Sequence, residues 1–207
     1  MNDLLKIHRI IEGAIVGLDS DIVLNGWCLP DGINLNSYIE FKANSTKSNV
    51  ELLELFYERE FNTIVLAELN RPSLILISPY DLMLKEVITA YELGYFNICI
   101  PSLFSIIEAM LVFLANDGDF TKIRYINGLN NTLELPGNSN IELKSKLHNI
   151  KEIVENYFQK IEFNSEVSSS KLNRHESAHG RKVGSYNKTD CLKLLVLISV
   201  IKSCYNN

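Results

Sequence analysis

The chain has few cysteines and no clustered glycines, which removes several kinds of site. Its cysteines, Cys28, Cys99, Cys191 and Cys204, are scattered along 207 residues, and no two are spaced as a metal or redox pair. We expect them to be reduced thiols of a cytosolic protein. The ten glycines are dispersed, so the sequence contains no glycine-rich phosphate-binding loop. We therefore predict no cofactor and no metal.

A targeting segment and a membrane span are also missing from the sequence. Residues Met1 to Lys6 lack a basic flank followed by an apolar run, so we expect no signal peptide and a cytoplasmic location. The longest apolar stretch, Ile98 to Ala115, contains Pro101 and places Glu108 near its middle, which would be costly in a bilayer. We therefore predict that it forms a buried core helix and that no membrane is a partner.

What remains is the composition of one globular domain with an uneven charge. A hydrophobic fraction of 46% over 207 residues provides a sizeable core, and a net charge of -5 gives no general attraction to nucleic acid. Between Lys171 and Lys193, however, six cations face two anions, a net charge of +4. We interpret this segment as a local phosphate contact, and a solvated surface is the alternative.

Apolar residues recur at spacings of three and four, which predicts helices. Ser78-Pro79 is expected to open one of them, because serine is a good N-cap and proline is favoured at the first helical position. A short run, Leu74 to Ile77, is the only strand candidate. We therefore predict an all-α fold, with helices over Leu4 to Val16, Asn49 to Leu69, Ser78 to Leu93, Phe96 or Pro101 to Asn116, Ile141 to Phe163 and Thr189 to Cys204.

Three further segments complete the expected organisation. The turn from Gly26 to Gly32 contains Trp27, the only tryptophan, and is predicted to be a packed loop. Ser165 to Ser170 is a small polar connector. The last helix is apolar on nearly every side, so we expect it to be a central member of a helical bundle.

The segment Leu172 to Gly180 concentrates polar side chains just before that apolar helix. It reads Leu-Asn-Arg-His-Glu-Ser-Ala-His-Gly, with four residues between Arg174 and His179. This wording resembles the HEPN superfamily, whose ribonuclease members carry an Arg, four to six residues, His motif near the last helices of a helical bundle. It is most similar to the bacterial branch that reads Asn-Arg-His, three residues, His-Gly.

The resemblance extends upstream over most of the chain. Ala90 to Tyr95, then Ile100-Pro101 and Glu108, resemble that branch's helical hairpin, and Gly26-Trp27 also looks similar. The resemblance implies a HEPN-like helical bundle at 71–207 with an N-terminal helical extension at 1–70 packed on it. It also implies a homodimer that cleaves RNA as a bacterial toxin or anti-phage effector, with an antitoxin or regulatory partner.

Elementary chemistry agrees with what the resemblance implies for Arg174 and His179. RNA can be cut without metal when its own 2′-hydroxyl attacks the adjacent phosphate, which needs a proton acceptor and a fixed cation. Imidazole titrates near physiological pH, and guanidinium stays charged and forks onto phosphate. Five residues of helix turn by about 140°, so on one regular helix these two side chains would diverge. Either the arginine lies at a helix entrance, or two copies of the motif meet.

Several neighbours of this pair are candidates for supporting roles. Asn173 and His175 flank the arginine, and His175 could share the face of His179 and assist binding or merely act locally. Glu108 is an isolated carboxylate in an apolar helix, so we expect it to pair with a cation, Arg174 or one of its neighbours. The candidate RNA-binding residues are Arg181, Lys182 and Tyr186, and the alternative for the tyrosine is simple packing.

Two other functions stay open. A non-catalytic HEPN dimer that binds RNA, a nucleotide or a partner protein is favoured by the overall acidity and by Ala109, where similar chains often have glycine. A zinc hydrolase is the second, because His175-Glu176 and His179 spell His-Glu-x-x-His, in which two imidazoles bind zinc and the glutamate activates water. That reading needs a third ligand, and downstream of His179 only Asp190 is available.

Overall fold

A computed structural model of the chain describes residues 23–28, 47–75, 78–116, 141–160, 172–180 and 186–205. Within these ranges the regular secondary structure is helical and no strand occurs, which confirms the all-α prediction. Leu74 and Ile75 lie in a bend, so the first half of the strand candidate is wrong. The helix over Leu4 to Val16, the connector at Ser165 to Ser170 and much of 1–70 lie outside the described residues.

The first described helical region runs from Asn49 to Asn70 and closely matches the expected helix. It consists of α1 (Asn49–Glu60), a π-helical segment (Phe61–Val65) and α2 (Leu66–Asn70). A reciprocal capping box starts it: Glu51 N–H donates to Ser48 Oγ, and Ser48 N–H donates to Glu51 Oε2. The π-helical turn was not predicted, because a local change of pitch hardly disturbs the apolar spacing.

The next two helices form a hairpin. Helix α3 (Tyr80–Glu92) begins after Pro79, whose carbonyl accepts the first helical bond from Met83 N–H, so Pro79 occupies the N-cap position and Ser78 lies outside it. The predicted capping by Ser78 is therefore wrong by one position. Gly94, with φ +80°, ends α3 as expected, and α4 (Phe96–Ala115) follows. Of the two predicted starts of α4, Phe96 and Pro101, the structure has Phe96.

The last described helices bring the candidate motif onto the bundle. Helix α5 (Ile141–Tyr157) ends six residues earlier than the predicted Phe163. The short helix α6 (Arg174–Ala178) carries the motif, and α7 (Lys188–Tyr205) agrees with the predicted last helix within one residue at each end. Just after the early end of α5, the carbonyl of Gln159 accepts a hydrogen bond from the side chain of Asn173.

Helices α4 and α7 form the centre of the described core. They pack on each other, α3 covers α4, and α7 also contacts α2 and α5. The side chains of α7 from Leu194 to Val200 are all buried, which confirms its predicted central position. Residues of α1, α2 and the 23–28 segment share this core, in keeping with an N-terminal region packed on it. The short motif helix α6 lies against α4.

Two predicted packing details are also present. Trp27 is fully buried and stacks on Tyr57 with ring centroids 5.3 Å apart, so the described part of its loop is packed as expected. Within the described ranges, α4 is the one helix with the length and apolarity of a membrane span. It contains Pro101 and Glu108, and 56% of its most apolar 18-residue stretch is buried inside the bundle. Both observations fit the predicted core helix.

Candidate active site

Asn173 fixes the start of the motif helix. Its side chain is 4% exposed, and Oδ1 accepts hydrogen bonds from the N–H groups of His175 (2.9 Å) and Glu176 (3.1 Å). Its Nδ2 donates to the carbonyl of Gln159 just beyond α5, at 2.9 Å. One buried amide therefore caps α6 and ties it to the end of another helix.

Arg174 is the first residue of α6 and pairs with Glu108 of α4. Its Nη2 donates to Glu108 Oε2 at 2.8 Å, and the two side chains are 36% and 27% exposed. The predicted partner of Glu108 is confirmed by this contact. Guanidinium carries five N–H donors in a rigid fork, so the ion pair occupies one part of the group and leaves donor capacity toward solvent. A carboxylate thus orients the arginine at a half-open surface.

His179 follows the last residue of α6 and is exposed. Its backbone (φ -101°, ψ 11°) departs from the helix, although its N–H still donates to the carbonyl of His175 at 3.2 Å. Gly180 comes next with φ +64°, a value that favours glycine. The motif therefore begins and ends a helix of five residues, and the first of the two expected arrangements, an arginine at a helix entrance, is present.

The two imidazoles of the motif touch. The rings of His175 and His179 lie edge to face, with centroids 4.6 Å apart and an interplanar angle of 67°. His175 is half-buried, whereas His179 is exposed. The expectation that they share a face is confirmed. A second imidazole, that of His175, therefore lies beside the candidate base.

The remaining motif residues turn inward. Glu176 is 3% exposed and Ser177 is 9% exposed, on the side of α6 opposite the solvent. In a zinc hydrolase of the His-Glu-x-x-His type the glutamate must reach a metal-bound water, and a buried Glu176 does not suit that role. Among the described residues, no His, Cys, Asp or Glu completes a group of three that could hold a metal with the two histidines.

Tyr186 packs rather than projecting into solvent. Its half-buried ring packs against the hydrophobic core. Burial raises the pKa of the Tyr186 hydroxyl, and the neighbouring Ser177 side chain opposes that shift. These contacts favour the packing alternative over base stacking. Arg181 and Lys182, the other two candidate RNA-binding residues, lie outside the described residues.

Sequence reasoning missed the link between Asn173 and Gln159, and the inward position of Glu176 and Ser177. A helix N-cap at Asn173 could have been inferred from an asparagine immediately before the motif. The partner at Gln159 had no signal, because it depends on where α5 ends.

Comparison of the chain with protein-family models, with curated proteins and with solved structures gave no match.

Proposed function

We propose that this chain is a HEPN-type endoribonuclease that cleaves RNA without metal, with Arg174 and His179 as the catalytic pair. One observation carries the proposal: an arginine oriented by a carboxylate and an exposed histidine lie at the two ends of one short, capped helix. A fixed cation and a solvent-accessible imidazole are the two groups that attack by a 2′-hydroxyl requires.

The reaction uses each group once. His179 takes the proton of the 2′-hydroxyl as the 2′-oxygen forms a bond to phosphorus. The bond from phosphorus to the 5′-oxygen breaks, that oxygen takes up one proton from solvent, and His179 returns its proton to solvent, so the proton balance is closed. The products are a 2′,3′-cyclic phosphate and a 5′-hydroxyl. Arg174 binds the non-bridging oxygens, where negative charge builds up in the transition state.

Glu108 serves this reaction as a positioning residue for Arg174. A long arginine side chain loses conformational entropy when it is fixed. Because the 2.8 Å bond to Oε2 already fixes Arg174, that entropy is lost on folding and not on RNA binding. In the proposed complex, the phosphate binds the donors that Glu108 does not use. Preorganisation of this kind explains why a charged residue is kept within an apolar helix.

The proposed enzyme acts as a homodimer. Along α4, Ile98, Pro101 and Ser105 are exposed at spacings of three and four, and this stripe continues directly to Glu108. Ile98 alone is 65% exposed, although it is a large apolar side chain. A two-fold contact through this stripe would bring two Glu108–Arg174 pairs toward one axis. A second copy is therefore the occupant that the stripe fits.

The role in the cell follows from the proposed chemistry and the resemblance. A small enzyme that cuts cellular RNA is harmful unless it is controlled, so we propose a toxin or anti-phage effector with an antitoxin or other regulatory partner. Growth arrest on expression that disappears in His179→Ala is the expected result. Arrest that persists in this variant would contradict the proposed cause of toxicity.

The deciding experiment is cleavage of total cellular RNA by the purified protein in excess EDTA. Wild type should leave 2′,3′-cyclic phosphates, whereas Arg174→Ala and His179→Ala should lower the rate at least about a hundredfold. Glu108→Gln should lower the rate less, since the arginine keeps its charge and loses only its orientation. Glu152→Gln, which changes an exposed carboxylate paired with His148 on α5, is the matched control and should not alter cleavage.

Loss of cleavage in EDTA, restored by zinc, would instead support a zinc hydrolase.

Light scattering should show a dimer. Ile98→Glu should disrupt that dimer and abolish cleavage. A strictly monomeric protein that still cuts RNA would contradict the dimer.

A non-catalytic binding module is the second candidate, and the Glu108–Arg174 ion pair is the observation that favours it. An arginine already paired with a carboxylate can serve a purely structural purpose. This candidate predicts RNA binding without new RNA termini, and unchanged binding in His179→Ala. Mapping of termini and a binding titration on the same samples separate the two functions.

A further inference from the structure

His175 is the fixed member of the histidine pair. Its N–H is bonded to Asn173 Oδ1, and its carbonyl accepts the N–H of His179 at 3.2 Å. Its side chain is half-buried within α6, a helix that the buried amide of Asn173 ties to Gln159. The backbone and the ring of His175 are thus both restrained.

His179 is the more exposed member of the pair. It lies after the last helical residue, is exposed, and precedes Gly180 with its left-handed backbone. The ring of a histidine presents two different nitrogens, and its rotation decides which of them faces a substrate. The orientation of the His179 ring therefore matters for proton transfer.

The contact between the rings is specific in its geometry. Centroids 4.6 Å apart at 67° correspond to the edge-to-face arrangement that aromatic pairs prefer. A ring that packs in this way accepts a narrow range of orientations of its partner. The exposed imidazole of His179 therefore packs on one side against a half-buried ring of α6.

We propose that His175 is a positioning residue whose ring holds the imidazole of His179 in the orientation that accepts the 2′-hydroxyl proton. This inference rests on the proposed ribonuclease function and assigns the specific duty that the sequence left open between substrate binding and a local role. This positioning role requires an aromatic ring at position 175 and does not require its nitrogens. Phenylalanine at this position should therefore support cleavage, and alanine should not.

The experiment compares His175→Phe, His175→Ala and the wild-type protein in single-turnover RNA cleavage and in steady state. His175→Ala should lower kcat about tenfold, less than the roughly hundredfold loss typical of a 1 Å misplacement, and should leave KM nearly unchanged. His175→Phe should recover most of the lost rate. His148→Ala, the same change at an exposed position of α5, is the control and should cleave like wild type.

Two kinetic outcomes would overturn the proposal. If His175→Phe is as slow as His175→Ala, the nitrogens of His175 act in the reaction and packing is not its role. If His175→Ala cleaves at the wild-type rate, the residue positions nothing. Thermal unfolding of each variant identifies a loss that merely reflects a misfolded chain, and His175→Phe provides the folded aromatic reference.

A second measurement does not depend on cleavage. In the NMR spectrum, the ring protons of His179, assigned with His179→Gln, should shift when the neighbouring ring is removed in His175→Ala and should shift far less in His175→Phe. Identical His179 shifts in wild type and His175→Ala would overturn the proposal. If no sample cuts RNA but the shift appears, the ribonuclease function fails while the restraint of His179 by His175 stands.

Discussion

At the scale of single residues, Asn173 shows how one buried amide can organise a site. Its oxygen satisfies two N–H groups at the start of α6, and its nitrogen satisfies a carbonyl beyond α5. The first turn of any helix exposes N–H groups that lack an intrahelical partner. The position of Arg174 and the start of the motif helix therefore depend on a residue that is itself buried.

Replacement of Asn173 should measure that dependence. Asn173→Ala is expected to lower the free energy of unfolding by about 1–2 kcal/mol, because α6 loses its N-cap. Asn173→Ser keeps a capping oxygen but loses the donor to Gln159, so its loss should be smaller. Chemical denaturation of both variants gives the comparison. Equal stability of Asn173→Ala and wild type would show that the amide is not the cap.

Some side-chain contacts of the site could be predicted from the sequence, and others could not. The pairing of Glu108 with Arg174 was predictable, because a carboxylate inside an apolar helix calls for a cation. The bond from Asn173 to Gln159 was not, because it depends on the register in which two segments meet. For Tyr186 the sequence favoured packing but left base stacking open, since both roles use an aromatic ring.

At the scale of elements, two glycines with similar backbone angles have different surroundings. Gly26 has φ +78° and Gly94 has φ +80°, so a side chain is strained at both. A Cβ at Gly26 would also lie 2.7 Å from Cζ of Tyr157, whereas a Cβ at Gly94 would meet open space. The loop before α1 and helix α5 therefore meet at a distance that only glycine permits.

This pair of sites allows strain and contact to be separated. Gly94→Ala should cost about 1–2 kcal/mol of stability from the left-handed backbone alone. Gly26→Ala should cost about 1–3 kcal/mol more, because Tyr157 must move within a packed core. Urea unfolding of both variants measures the difference. Similar losses at the two positions would argue that Tyr157 yields easily and that the contact is loose.

The same contact predicts a dependence of stability on pH. Burial raises the pKa of the Tyr157 hydroxyl, which donates to the carbonyl of Gly26 at 3.1 Å. The hydroxyl therefore contributes its full stability below about pH 10, the ordinary value of the unfolded chain. This contribution is lost as pH rises further, because only the unfolded state ionises readily.

Tyr157→Phe tests this linkage. Below pH 10 the variant should be less stable by about 1–3 kcal/mol, because the buried carbonyl of Gly26 loses its donor. Above pH 10 the gap should narrow, since the wild type alone loses the contribution of Tyr157. Thermal or urea unfolding between pH 7 and 11, within the reach of ordinary buffers, gives both curves. A constant gap across that range would contradict the assigned role of burial.

Helix positions were predictable and some helix ends were not. Apolar spacing located α1, α3, α4, α5 and α7, because a helix that buries one face must repeat that face. The start of α3 was misplaced by about one residue, since Pro79 itself takes the N-cap position. The end of α5 was misplaced because its apolar pattern continues after the helix stops, at a point determined by contacts with distant residues.

At the scale of the whole molecule, charge is distributed unevenly along the chain. The chain carries a net charge of -5, and the segment from Lys171 to Lys193 alone carries +4. Such a distribution favours a few local phosphate contacts and disfavours long tracking along a nucleic acid. The all-α character was predictable from spacing, whereas the arrangement of helices about α7 needs the packing of distant segments.

Salt dependence should report the number of those contacts. With about three phosphates neutralised, the logarithm of the RNA association constant should fall with the logarithm of salt concentration with a slope of about -2 for single strands. Arg174→Ala should remove about one phosphate contact, so the slope should become shallower by the contribution of that contact. A fluorescence titration between low and moderate salt gives the slopes. A steeper slope, typical of many contacts, would show that basic surface far from the motif binds RNA.

The order of the elements along the chain has a consequence for synthesis. Arg174 and His179 precede α7, and α7 supplies the buried face on which α4, and through it α6, is supported. At about 5–20 residues per second, a ribosome needs roughly 1–4 s to make the 18 residues of α7. During that interval Arg174, its partner Glu108 and His179 have all been made, but the central helix against which α4 packs has not. The proposed cleft therefore reaches its final packing only after the last described helix has been made.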